Sequence, residues 1–322
     1  MSVSEVVFPL AGRRVWVAGH RGMVGSALVR RLAESDVEVV TVSRDDLDLR
    51  DGDSTLQWVK DVAPEMIFVA AGRVGGIEAN SRYPADFIAD NLAINMSVIS
   101  AAARAEIPKV MVLGSSCIYP KHADQPMQEN SLLTGAIEPT NVWYAVAKIS
   151  ALKLAEAYRI QYGHDFISAM PTNLFGLNDN FDENRGHVIP ALMSKARHAV
   201  ESKAETIDVQ GSGSPLREFL HVDDCADALV LLAERYSAAE TVNVGSGCEV
   251  SIRELTEKIC AIAGFDGALN FDTTRPDGAP RKLVDSRRIR SMGWAPRIEF
   301  DDGLRSTYEW FLDAQGATRN GS

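Results

Sequence analysis

The sequence predicts an α/β protein: a doubly wound, Rossmann-like parallel sheet with a smaller C-terminal α/β domain. Three observations carry this. Residues 15–18 (VWVA) are a short apolar run of the kind a strand shows when both its faces are buried. Gly19, Gly22 and Gly25 follow at three-residue spacing and lead into a helix predicted over 26–32. Further apolar runs then alternate with segments of helical length, which implies strands joined by crossover helices.

The glycine turn reads G-x-x-G-x-x-G. A strand, a glycine turn and a helix N-terminus are what a dinucleotide pyrophosphate needs. One glycine permits the tight turn, one lets phosphate approach the backbone, and one lets the helix pack on the strand. A glycine-rich turn without a ligand is the competing reading, and the flanking strand and helix disfavour it. The second strand is predicted over 37–42 and is followed by Ser43 and Arg44. An acid at the end of this strand would bond a ribose 2′-hydroxyl, whereas a cation suits a 2′-phosphate, so Arg44 favours NADP over NAD. Asp45 and Asp46 follow closely.

The third strand is predicted over 66–71 and runs into a glycine-rich segment over 72–76. A helix is expected over 86–104. The fourth strand, 109–114, leads into Ser115, Ser116 and Cys117. A long helix over 141–162 has Gly163 as its C-cap. The fifth strand, 165–170, precedes Pro171, Thr172 and Asn173. Beyond Gly176 the pattern loosens. Residues 178–186 read as polar loop, 188–200 as helix, and 206–209 and 217–222 as strands. Asp223 or Asp224 is a candidate cap for a helix through Leu232. A strand over 241–244 and a helix over 251–263 capped by Ser251 come next, and 271–283 is Pro/Gly-rich and ends in basic residues. The expected division is a dinucleotide-binding domain over 1–176, with a later return around 217–247, and a substrate domain from 177–216 and 248–322.

At 322 residues the chain buries a large core in one or two domains. No apolar stretch has membrane-span length, and the N-terminal segment has no secretory pattern. Cys117, Cys225, Cys248 and Cys260 form neither metal-type spacing nor a disulfide framework, so no metal is expected and a reducing cytoplasm fits. The net charge of −11, with no Lys/Arg-rich tract, argues against nucleic-acid binding. Anionic ligands must then be held by local basic groups.

Tyr144 and Lys148 stand four apart on the predicted long helix and share a face. A phenol with an ordinary pKa of ~10 is a poor proton shuttle at neutral pH unless an ammonium and a hydroxyl assist it. Ser115 lies at a strand end where doubly wound sheets place ligands. Ser, Tyr and Lys can together polarise a carbonyl while a nicotinamide transfers hydride. Y-x-x-x-K by itself is weak, since an amphipathic helix with a snorkelling lysine gives the same spacing. The glycine turn and the strand-end serine favour the catalytic reading.

These features resemble the extended short-chain dehydrogenases/reductases, and in detail the family of GDP-L-fucose synthases, the GDP-4-keto-6-deoxy-D-mannose epimerase/reductases. The segments that carry the resemblance are GHRGMVGSA (19–27), RVGGIEAN (73–80), YPADFI (83–88), LGSSCIYPK (113–121), EPTN (138–141), YAVAK (144–148), MPTNLFG (170–176), HVIPAL (187–192), REFLHVDD (217–224) and PDGAPRKL (276–283). They run in order over almost the whole chain.

The resemblance implies that Tyr144 is the proton donor, Lys148 its electrostatic partner and Ser115 its hydroxyl partner, with NADPH supplying hydride. It also implies that Cys117 and His187 are the acid–base pair for epimerisation at sugar C3 and C5. Residue by residue, cofactor contacts map onto Gly19, His20, Arg21, Gly22, Met23, Val24, Gly25 and Arg44. They continue with Leu113, Gly114, Ser115 and Ser116, then Lys148, then Pro171, Thr172, Asn173 and Leu174, and finally His187. The nucleotide-sugar substrate, GDP-4-keto-6-deoxy-D-mannose, maps onto Lys195, Arg217, Asp277 and Lys282. The three cations suit a diphosphate, and Asp277 suits a base or ribose.

An extended backbone at the end of the fourth strand would put Ser115 and Cys117 on one side. A thiol of ordinary pKa ~8.5 needs only a modest shift to act as a base. Taken alone, Cys117 would read as a small buried hydrophobe and His187 as a helix-start residue; the resemblance lifts both above those readings. Gln210 and Trp143 depart from the family pattern, where a tryptophan stands just before G-S-G. The closest rivals are another nucleotide-sugar 4-epimerase or 4-reductase, neither of which needs Cys117 and His187. A non-catalytic NADP-binding protein would commonly lose the tyrosine or lysine. The resemblance further implies a homodimer built on the helices around 86–104 and 141–162, where Ala93, Ala101, Ala102, Ala145 and Ala155 permit close packing, although burial inside one subunit explains those alanines equally well.

Overall fold

The structure, a computed structural model, describes residues 5–183, 186–275 and 277–319. Residues 184–185 of the expected polar loop, and Pro276 at the start of the 276–283 segment, lie outside the described residues.

The first half of the chain runs β1 (Arg14–Ala18), α1 (Met23–Ala33), β2 (Glu38–Val40), α2 (Gly52–Val62), β3 (Met66–Val69), α3 (Ile77–Arg82), α4 (Pro84–Arg104), β4 (Lys109–Leu113), α5 (Val142–Tyr162) and β5 (Asp165–Pro171). With β9 (Val242–Val244), these strands form a six-stranded parallel sheet in the order β2-β1-β3-β4-β5-β9. The unbroken apolar strands follow from burial on both faces. Trp16, Ile67, Val69, Val110 and Val112 face a core shared with α2, α4 and α5. Val15, Val17, Met66, Phe68, Met111 and Leu113 face the opposite core, shared with α1 and α7 (Val222–Arg235). The strand order reverses between β1 and β3, so the ligand crevice of such a sheet opens at the glycine turn after β1.

The remaining elements are β6 (Asn173–Phe175), α6 (Val188–Ser202), β7 (Thr206–Gln210), β8 (Leu216–His221), β10 (Glu249–Ser251), α8 (Ile252–Ala263), β11 (Ala268–Asp272), β12 (Arg281–Lys282), α9 (Arg287–Ser291) and α10 (Phe300–Arg319). β8 pairs with β6, β10 and β12, and β7 with β11. A third core gathers Ile189, Met193, Phe219, Leu255, Ile259, Leu304 and Phe311 from α6, β8, α8 and α10.

Several details depart from expectation. β2 covers three residues, so Arg44 stands four residues beyond the strand rather than at its end. Of the two late strands expected around 217–247, β9 joins the large sheet and β8 does not. α7 is capped by His221, whose Nδ1 accepts from the Asp223 backbone N–H at 3.3 Å. Asp223 instead pairs with Arg30, and Asp224 accepts from the backbone N–H groups of Arg297 and Ile298, at 3.0 Å each.

Candidate active site

The glycine turn separates the three roles expected of it. Gly19 has φ +88°, and a Cβ there would meet the Ala71 backbone at 2.6 Å. A Cβ on Gly25 would lie 2.1 Å from the Gly19 carbonyl oxygen, so only glycine lets α1 pack this closely on the turn. At Gly22 the nearest atom to an added Cβ is 3.4 Å away, which leaves the approach from outside open. Gly22 caps α1 without a side-chain bond, and the first turn of α1 carries no acid. Its free N–H groups and dipole therefore face outward without a competing anion, as a pyrophosphate requires. Arg44 is exposed beyond β2 and makes no ion pair among the described residues; the Asp48 carboxyl near it is held well below its usual pKa mainly by hydrogen bonds from Arg50, with Arg44 adding a smaller push. These residues fit a phosphorylated dinucleotide.

The reacting groups gather where β4 ends. Ser115 is extended (φ −163°, ψ 141°) and caps a single 3-10 turn over Ser116–Ile118. The backbone does not stay extended to Cys117, as strand alternation required. The two side chains meet instead across the capping turn, with Ser115 Oγ 3.0 Å from Cys117 Sγ. Tyr144, in the first turn of α5, is buried. Burial and Cys117 raise its pKa, with Ser115 opposing them, so the phenol stays a proton-bearing donor. Lys148, one turn on, donates to the Leu113 carbonyl at 2.9 Å, and its Nζ lies 5.9 Å from the Tyr144 ring centre. Burial lowers its pKa to about 8, with Cys117 opposing the shift. The ammonium is thus held by the end of β4 rather than by the phenol.

His187 is the N-cap residue of α6 and makes no side-chain cap bond. Its ring is open to solvent yet crowded by surrounding protein, and that desolvation lowers its pKa. Among the described residues no hydrogen bond joins it to the Ser115–Tyr144 cluster. At the end of β5, Pro171 and Thr172 are buried, and Asn173 Nδ2 donates to the Glu218 carbonyl at 2.8 Å.

The expected substrate residues divide into two groups. Lys195 lines a concavity of about 290 Å³ with Asp208, Gln210, Asn270, Asp272 and Arg275. Arg217 and Lys282 are register partners across β8 and β12. Burial lowers the pKa of both. Asp277 links the groups, because its carboxylate accepts from the Ser212 N–H at 2.7 Å and the Ser212 hydroxyl at 2.8 Å, just beyond Gln210. Those bonds hold its pKa below the usual carboxylate range and commit much of its accepting capacity.

Two organising residues escaped sequence reasoning. Glu218, fully buried between Arg217 and Phe219, accepts from the Gly247 N–H at 2.7 Å and the Val284 N–H at 3.0 Å. It ties β8 to the chain that carries Lys282, and a lone acid inside an apolar strand was its only signal. Asn91 of α4 holds both backbone groups of Arg73, at 2.9 and 3.0 Å, and so fixes the loop after β3.

A family model described as the NAD dependent epimerase/dehydratase family matches residues 15–245. The GDP-L-fucose synthase of Sinorhizobium fredii is 50% identical over 306 residues, 95% of this chain and 98% of that one. GDP-L-fucose synthase 1 of Arabidopsis thaliana is 52% identical over 300 residues, 93% of each chain. The crystal structure of a GDP-L-fucose synthetase from Naegleria fowleri bound to NADP superposes with a TM-score of 0.88 at 27% identity, covering 98% of this chain and 99% of that one. The chain belongs to the NAD dependent epimerase/dehydratase family and, within it, to the GDP-L-fucose synthases.

Proposed function

We propose that Ser115, Cys117, Tyr144, Lys148 and His187 are the residues with which this protein converts GDP-4-keto-6-deoxy-D-mannose to GDP-L-fucose, by epimerisation at C3 and C5 and NADPH-dependent reduction at C4. The observation that carries this reading is a thiol at the reductase serine: Ser115 Oγ touches Cys117 Sγ at 3.0 Å, and both residues act on the pKa of the buried Tyr144. A 4-epimerase or simple 4-reductase has no use for that thiol.

Tyr144 and Ser115 donate hydrogen bonds to the C4 ketone oxygen, which makes the protons on C3 and C5 acidic. Cys117, as thiolate, takes such a proton to become a thiol, and the electron pair of the C–H bond moves into the enolate that Tyr144 and Ser115 stabilise. Return of a proton from the opposite face inverts the carbon, and Cys117 and His187 divide these transfers. Bound NADPH supplies hydride to C4. Tyr144 then gives its proton to the C4 oxygen, with the Lys148 ammonium beside it offsetting the phenolate. The glycine turn at Gly19–Gly25 and Arg44 would hold the cofactor, and Arg217, Lys195 and Lys282 would hold the anionic end of the substrate.

The two cores on the large sheet form the cofactor domain in this reading, and the third core forms the substrate domain. The four free cysteines suit a reducing compartment, which we take to be the cytoplasm. No helix among the described residues is long and apolar enough to cross a membrane. A second copy of the chain is the partner we assign to the outer face of α4 and α5. Turnover of GDP-4-keto-6-deoxy-D-mannose with NADPH in deuterated water tests the function directly. GDP-L-fucose carrying deuterium at C3 and C5 is expected; reduction without that label would leave a 4-reductase.

A further inference from the structure

We propose that Asn141 is a positioning residue for epimerisation: its amide holds the backbone of Cys117 against the start of α5, the helix that carries Tyr144 and Lys148. The proposal rests on the reading of Cys117 as the thiol that moves carbon-bound protons.

The Cys117 backbone needs a partner from outside its own turn. Its N–H donates to Ser115 Oγ, the cap of the turn, at 3.5 Å. The Ile118 and Tyr119 N–H groups donate to the Ser115 and Ser116 carbonyls, at 3.1 and 3.4 Å. The Cys117 carbonyl is next in this series, and its 3-10 partner would be the N–H of residue 120. That residue is Pro120, which has none. Asn141 Nδ2 fills the gap, donating to the Cys117 carbonyl at 3.3 Å. No other hydrogen bond reaches this carbonyl among the described residues.

Asn141 gives up its ordinary role to do so. It is the N-cap residue of α5, where an asparagine oxygen usually accepts from first-turn N–H groups, yet it makes no side-chain cap bond. Its own N–H donates to the Glu138 carbonyl at 3.0 Å, which fixes the residue in place. Two further ties run alongside. The Lys121 N–H donates to the Ala136 carbonyl at 2.9 Å, and the Lys121 ammonium meets the Glu138 carboxylate at 3.1 Å. The chain leaving the thiol and the chain entering α5 are thus joined repeatedly, and the Asn141 bond is the tie made to Cys117 itself. Tyr144 follows three residues later. With the ketone oxygen held by Tyr144, the thiol must reach a carbon next to that ketone, so the spacing between these two segments decides the transfer. Reduction calls on Ser115, Tyr144 and Lys148, and Lys148 is anchored separately on the Leu113 carbonyl at 2.9 Å. Loss of the Asn141 bond should therefore slow epimerisation more than reduction.

The test compares two variants of the full chain, turning over saturating GDP-4-keto-6-deoxy-D-mannose with NADPH in deuterated water. Asn141→Asp keeps the size and remains a good N-cap beside the helix dipole, but has no amide N–H to give. Asn141→Ala has neither the donor nor a charge. In both, deuterium entry at C3 and C5 should fall about ten-fold or more, on the scale by which small misplacements slow a positioned reaction. The share of reduced product left uninverted at C3 and C5 should rise, with NADPH affinity within about two-fold of wild type. Wild-type exchange in both variants overturns the proposal. Exchange lost in Asn141→Ala alone reports a helix cap, exchange lost in Asn141→Asp alone reports added charge, and either overturns it. So do equal falls in exchange and reduction, which report a displaced helix, and failure of both variants to fold. Failure of the Cys117 reading is separately visible, as wild-type labelling in Cys117→Ser whatever the Asn141 variants do.

Discussion

Ser115 Oγ lies 3.0 Å from Cys117 Sγ, so the strand-end hydroxyl expected to serve reduction touches the thiol expected to serve epimerisation. Cys117→Ser keeps this contact but replaces an ionisable thiol by a hydroxyl that stays protonated near neutrality. Deprotonation at carbon should fall by two orders of magnitude or more, on the scale of general-base catalysis, ~10²–10⁴. Hydride transfer should continue slowly on the unepimerised ketone and give a 6-deoxy sugar uninverted at C3 and C5. Product stereochemistry and deuterium content by NMR decide this; wild-type labelling in Cys117→Ser would move the epimerase role elsewhere. Ser115→Ala should slow both half-reactions.

The pH dependence of reduction should be set by Lys148. Burial brings its pKa down to about 8, so the ammonium is present below that pH and lost above it. Tyr144 is shifted the other way and stays protonated throughout. The rate of C4 reduction should therefore fall as pH rises through about 8. Because Cys117 supports the charged lysine, the descending limb should move to lower pH in Cys117→Ser. Lys148→Met should remove the limb along with most activity, and Tyr144→Phe should abolish reduction with NADPH binding intact. A limb that persists in residual Lys148→Met activity would assign the titration to another group.

Cofactor choice is expected to rest on Arg44. It stands exposed, near Asp48, and makes no ion pair among the described residues. Hydrogen bonds to a charged group contribute ~1.5–3 kcal/mol, so Arg44→Ala should weaken NADPH about tenfold or more while leaving NADH nearly unchanged. Equal losses for both nucleotides, measured by fluorescence titration, would show that Arg44 does not read the 2′-phosphate.

The large sheet was legible because its chemistry is local. VWVA, MIFV and KVMVL are apolar throughout, since alternate side chains enter two helix layers, and the glycine turn follows at once. α2 was not legible: its helix is polar on one face, and its start is marked only by Asp51, which accepts from the Asp53 and Ser54 N–H groups at 3.1 Å. α7 is capped by His221 rather than by Asp223 or Asp224, the acids two and three residues on, so the bond of His221 at the helix start does what those acids suggest. In the site, Tyr144 and Lys148 were placed by helical spacing alone. The meeting of Ser115 with Cys117 depended on a capping turn that spacing does not encode.

The outer face of α4 and α5 leads to the last prediction. α4 packs along α5, and Ala101, Ala102, Ala145 and Ala155 lie buried in the subunit's own core, so those alanines do not form a contact surface. The exposed large apolar residues of these helices are others: Met96 on α4, 58% exposed, and Trp143, Val146, Ile160 and Tyr162 on α5, at 44%, 38%, 74% and 62%. Val146, Ser150, Lys153, Ala157 and Ile160 recur at helical spacing along one stripe, with Lys153 paired to Glu156 at 2.6 Å. Two copies of such a face can pair about a two-fold axis, each stripe covering the other. Val146→Glu together with Ile160→Glu should convert a dimer to a monomer in light scattering at micromolar concentration. Exposed substitutions usually change stability by less than ~0.5 kcal/mol, so the monomer should stay folded and retain its NADPH affinity. A wild-type protein that is monomeric at that concentration would reject the dimer, and a double variant that remains dimeric would place the interface elsewhere.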